Sequence, residues 1–172
     1  MKIHFVLIFF FAFCLNSCKA QKDNCDCSVI LIPKQIEIPL YDKPLNKIVF
    51  TIKNDTVKED YCLIQLKSIS KDWAKISATT VSDTTTKIGW IEKKYMGIYP
   101  NPYFGDIAKL YSDADTISAV KSTIIKPEFS PANIFQCKGK WLYIKYMDAD
   151  NKMKEGWLSP DDQCANPYTT CN

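Results

Sequence analysis

Apolar and polar positions along this chain form short stretches, alternating or continuous, and none has the length or spacing of a capped helix. Ile48-Val49-Phe50-Thr51-Ile52 and Tyr61-Cys62-Leu63-Ile64-Gln65-Leu66 are rich in β-branched and aromatic residues and bounded by Asn, Asp and Lys, which predicts strands. Trp141-Leu142-Tyr143-Ile144-Lys145-Tyr146 alternates across a sheet, Asp148-Ala149-Asp150-Asn151 supplies a turn before Met153, and Trp157 begins the returning strand. Prolines and β-branched residues oppose a helix elsewhere. The pattern predicts an all-β protein.

One stretch differs. Lys2 precedes an apolar run from Phe5 to Leu15, and eleven residues as helix rise only about 16 Å, roughly half a bilayer core. That is the h-region of an export signal and not a span. Leu15-Asn16-Ser17-Cys18 resembles the lipobox of bacterial lipoproteins, in which the cysteine becomes the first mature residue and carries acyl chains. Residues 1–17 are therefore read as a lipoprotein signal peptide and Cys18 as the lipidation site. The competing reading is cleavage after Ala20, which would discard Cys18. Acyl chains contribute about 0.8 kcal/mol per buried methylene, so several would hold the protein on a membrane. The expected location is the bacterial cell envelope, and residues 18–34 are read as a tether.

Beyond the tether the chain repeats itself. Leu40-Tyr41-Asp42 returns as Leu110-Tyr111-Ser112, Asp72-Trp73-Ala74-Lys75-Ile76 as Lys140-Trp141-Leu142-Tyr143-Ile144, and Lys87-Ile88-Gly89-Trp90-Ile91 as Lys154-Glu155-Gly156-Trp157-Leu158. The offsets are nearly constant and pair all four tryptophans. Two units of about 65 residues with little helix fit small barrels.

The order of these marks resembles Src-homology-3-like domains: an aromatic in the first long loop, a tryptophan opening a middle strand, then Gly-aromatic-aliphatic leading to a one-turn helix and Tyr95. Their bacterial version is common in exported envelope proteins. The resemblance implies two SH3-like barrels in tandem, residues 35–98 and 99–172, packed through the aromatic, proline-punctuated connector Tyr95–Phe104. It implies ligand binding at Tyr41, Trp73 and Tyr95 in the first unit and at Tyr111 and Trp141 in the second. The competing reading has each tryptophan packing on its neighbouring loop or on the other unit. Trp90 and Trp157 are assigned to core or inter-unit packing. Two departures matter: Glu92 stands where peptide-binding members place a proline, and the second unit ends in Ser159-Pro160-Asp161-Asp162-Gln163 without the tyrosine. Proline-rich-peptide binding therefore does not carry over. The implied partners are peptidoglycan or an envelope peptide or protein.

Charge and composition narrow the chemistry. The whole chain carries a formal +3, and loss of Lys2 with the leader leaves +2, too little to argue for nucleic acid. Every basic residue is lysine, so bidentate guanidinium clamps do not exist here. The one histidine, His4, lies in the leader, which excludes Cys–His and Ser–His–Asp catalysis in the mature chain. No enzyme, cofactor or metal is expected; Asp148-Ala149-Asp150-Asn151 lacks the later oxygen ligand and glycine of a calcium loop. An inhibitor or immunity-type protein covering another exported protein is the alternative to an envelope-binding module.

Six cysteines remain in the mature chain besides Cys18, which in an exported protein reads as disulfides. Cys25-Asp26-Cys27 is too tight to bridge itself. A pair between Cys164 and Cys171 is expected, because Asn166-Pro167 turns the chain between them; the rival partners are Cys25 or Cys27.

Overall fold

The computed structural model describes residues 24–32, 37–55, 57, 60–80, 82–100, 106–127 and 130–166. Among them the protein is all-β. The strands are β1 (Cys27–Leu31), β2 (Ile38–Tyr41), β3 (Ile48–Ile52), β4 (Cys62–Ser70), β5 (Trp73–Thr80), β6 (Lys87–Glu92), β7 (Met96–Pro100), β8 (Ile107–Tyr111), β9 (Val120–Ile125), β10 (Ala132–Lys138), β11 (Trp141–Met147), β12 (Met153–Leu158) and β13 (Gln163–Cys164). They form a single thirteen-stranded sheet with the order β3-β2-β6-β5-β4-β1-β7-β10-β11-β12-β8-β9, and β13 pairs with β7 off that path. The strand pairs are antiparallel.

The sequence repeat is visible as a repeat of elements. Strands β2 to β6, a single 3₁₀ turn at Lys93–Tyr95 and β7 recur as β8 to β12, a 3₁₀ turn at Pro160–Asp162 and β13. Each half has a register shift in its first strand pair, between Leu40 and Tyr41 in one and Leu110 and Tyr111 in the other. A second shift opens between Leu66 and Ser68 in β4 and between Ile134 and Gln136 in β10. The tight turns before the middle tryptophans match as well, with Lys71 at φ 52 and Gly139 at φ 59.

One strand belongs to both halves. β1 pairs with β4, Val29 opposite Ile64, and with β7, Ile30 opposite Gly97. β7 repeats that role: it pairs with β10, Ile98 opposite Ala132, and with β13, Tyr99 opposite Cys164. It closes the first half and opens the second. Its five residues, Met-Gly-Ile-Tyr-Pro, are all buried. A Cβ on Gly97 would stand 2.9 Å from the Ala132 carbonyl oxygen, so glycine lets β10 close against it.

Two sequence expectations are corrected here. Residues 18–34 do not all form a tether, because Cys27–Leu31 is a central strand with four of its five residues buried. The run Val29-Ile30-Leu31 is continuously apolar, as a strand covered on both faces requires. The boundary expected between residues 98 and 99 falls inside β7.

A contiguous core runs through the sheet, with Ile38, Leu40, Leu66, Ile76 and Ile91 from the first half and Ala108, Leu110, Leu142, Ile144 and Leu158 from the second, all at 0 % exposure. Each large aliphatic among them contributes about 1.5–3 kcal/mol. Cys25 forms a disulfide with Cys137 across 112 residues, Cα–Cα 5.5 Å, tying the lead-in of β1 to β10. A loop of about 100 residues corresponds to about 4.7 kcal/mol in the chain-entropy model. Cys27 and Cys62 are buried thiols. Cys164 is also disulfide-bonded; Cys171, its expected partner, lies outside the described residues, as does Cys18.

Candidate ligand-binding site

Both halves build the same aromatic pair by the same means. In β6, Gly89 and Ile91 point inward, while Trp90 between them lies half-buried on the outer face. Gly89 is required because β2 crosses there: a Cβ would meet the Tyr41 carbonyl oxygen at 2.9 Å and Leu40 Cγ at 3.0 Å. Gly156 stands in the same relation to β8, 2.9 Å from the Tyr111 carbonyl oxygen and from Leu110 Cβ. The close approach sets Tyr41 in register with Trp90 and Tyr111 in register with Trp157. Tyr41 then packs edge-on against Trp73, with centroids 5.2 Å apart and planes at 89°. Tyr111 does so against Trp141, at 5.6 Å and 84°. All four rings are half-buried.

Four of the five residues expected at a ligand site are thus brought together in two equivalent pairs. Tyr95 belongs elsewhere: it packs against the core at the closing turn, under the Lys94 ammonium 4.9 Å from its ring centroid. Trp157, assigned to packing from sequence, extends the outer aromatic surface of the second half and meets Tyr143 edge-on at 5.6 Å. Lys121 lies over Tyr143, donates to its hydroxyl at 3.1 Å and forms an ion pair with Glu155 at 2.7 Å.

Tyr111 of the second pair borders a pocket of about 520 Å³, lined also by Ile107 and Lys109 of β8, Thr116 of the β8–β9 loop, and Ser159, Asp161 and Asp162 of the closing turn. That volume lies in the usual range for small-ligand sites. Ser159 is buried and caps the turn by accepting the Asp161 N–H at 3.4 Å. Asp162 is half-buried, and this desolvation pushes its carboxyl above the usual range; a donated N–H from the Lys109 backbone lowers it, and the charge of Asp161 raises it again. Sequence reasoning missed Asp161 and Asp162. The repeat offered the signal, since they replace Lys94 and Tyr95 at the same place in the first half.

Among the described residues no group of His, Cys, Asp or Glu is arranged to hold a metal ion. Comparison with models of protein families, with curated proteins and with solved structures gave no match for this chain.

Proposed function

We propose that this protein is a non-catalytic envelope-binding lipoprotein, held on a membrane through Cys18, whose two halves are SH3-like barrels sharing one strand. Its ligand is peptidoglycan or a wall-associated peptide. The observation that carries this reading is the recurrence of the edge-on Tyr–Trp pair in both halves, half-buried rather than sealed, with the tyrosine of the second pair beside an open pocket. Flat aromatic faces suit sugar rings and peptide backbones, and a single conformation of each ring costs little entropy on binding.

Retention on purified sacculi tests it. Wild-type protein should co-sediment, and Trp141→Ala or Tyr111→Ala should abolish retention with the far-UV spectrum unchanged. Normal retention of both variants would make the rings structural.

The inhibitor-type alternative has its own observation. Strand β3 ends the sheet and exposes Ile48, Val49 and Phe50 in succession, at 52 %, 36 % and 45 %. Such an edge suits pairing with another protein. If Val49→Lys abolishes capture of an exported protein while sacculus retention is absent, that reading replaces the first.

A further inference from the structure

The inference here rests on the reading of the Tyr111–Trp141 pair as a binding site. We infer that the pocket beside Tyr111 takes the ammonium group of a peptide amine, with Asp161 and Asp162 as counter-ions and the Tyr111 ring as its wall.

Charge is the first argument. Two carboxylates adjoin in the closing turn, one exposed and one half-buried, and both line the pocket. Among the described residues neither enters an ion pair. Lys109 offsets them in part, through its backbone N–H and the nearby charge of its ammonium, which leaves the pocket one negative charge in excess. A carboxylate drawn out of water beside a second one is costly unless a cation joins it.

Shape is the second argument. Tyr111 is fixed edge-on by Trp141, and its ring lines the same pocket as the carboxylates. An ammonium near an aromatic face is attracted by the negative face of the ring. Thr116 adds a hydroxyl acceptor, and Ile107 gives an apolar strip for a methylene stem. An amine on an alkyl stem uses each of these groups; a neutral sugar leaves the negative charge that Lys109 does not offset without a counter-ion.

The first half makes the inference specific. At the positions of Asp161 and Asp162 it carries Lys94 and Tyr95, and its Glu92 carboxylate is already held by Lys94 at 2.7 Å. The aromatic pair is therefore common to both halves, whereas the amine site belongs to the second alone.

The test uses Nα-acetyl-lysine N-methylamide and its Nε-acetylated counterpart, titrated into the isotope-labelled mature chain and followed by amide shifts. The free amine should move the resonances of Tyr111, Thr116, Asp161 and Asp162, and the acetylated probe should not. Asp161→Asn, at an exposed position, should weaken binding about tenfold or more, the loss of one charge-assisted hydrogen bond. Equal response to the two probes, or unchanged affinity in Asp161→Asn, would overturn the inference. Sacculi with chemically acetylated amines separate it from the broader reading. Loss of retention on acetylation supports the amine site. Equal retention of native and acetylated sacculi refutes it and leaves envelope binding standing. If neither is retained, envelope binding fails, and the two probes alone decide what the pocket holds.

Discussion

Cys25 and Cys27 stand two positions apart, and only Cys25 reaches across to Cys137. The Cys27 thiol is 3 % exposed and donates to the Gly139 carbonyl at 3.3 Å. Burial, helped by the charge of Asp26, pushes it up to about 11, despite an opposing backbone hydrogen bond. At pH 8 it is a protonated, inaccessible sulfur. Iodoacetamide should therefore leave Cys27 unmodified in the native protein at pH 8 and label it in denaturant, read by peptide mapping. The folded thiol holds its proton more tightly than the unfolded one, so its contribution to stability is complete below pH 9 and is lost as pH rises toward 11. Rapid native labelling at pH 8 would show that β1 opens locally.

Gly-Trp motifs look from sequence like ordinary strand pairs, but each glycine is the crossing point of two strands. Gly89→Ala and Gly156→Ala would each drive a methyl into a backbone carbonyl and a leucine side chain, neither of which can swing away. Each should lose about 1–3 kcal/mol in equilibrium denaturation, the usual cost of overpacking. Gly139→Ala is the contrasting case: nothing lies within 4 Å of its added methyl, and only the left-handed φ of 59° opposes it. That strain corresponds to roughly 1–2 kcal/mol. If Gly89→Ala proves neutral, the close approach of β2 to β6 is not what positions Tyr41 beside Trp90.

The shared strand decides whether the halves are separable. A chain ending at residue 95 lacks β7, one of the two strands that pair with β1, and one beginning at residue 106 lacks the strand that β10 and β13 pair with. Each would also lose the link between Cys25 and Cys137. Neither piece should unfold cooperatively, while the whole chain should show a single calorimetric transition. Two well-separated transitions in the whole chain, or a sharp transition in either piece, would mean that β7 is dispensable to one half.

Strand-forming runs, the paired tryptophans and the Tyr41 and Tyr111 marks were legible in the sequence because each depends on local pattern, period two and β-branched content, whereas Trp90 and Trp157, read as packing residues, lie half-buried on the outer face. The repeat alone also placed Asp161 and Asp162 opposite Lys94 and Tyr95. It could not say that the two carboxylates share a pocket with Tyr111, because β8 and the closing turn meet only when the sheet folds. The same limit hid β1. Cys27–Leu31 is short and follows a polar lead-in, and its register against β4 and β7 is set by partners up to about 70 residues away. Pairing of Cys25 with Cys137 likewise needed the Cys25–Gly139 bridge that brings the lead-in of β1 against the β10–β11 turn. Local chemistry marked the runs with a clear strand pattern, but not β1 or β7, and not the outward placement of Trp90 and Trp157. Tertiary structure alone decided that one buried strand serves both halves, since only packing on both faces and both edges distinguishes β7 from an apolar connector.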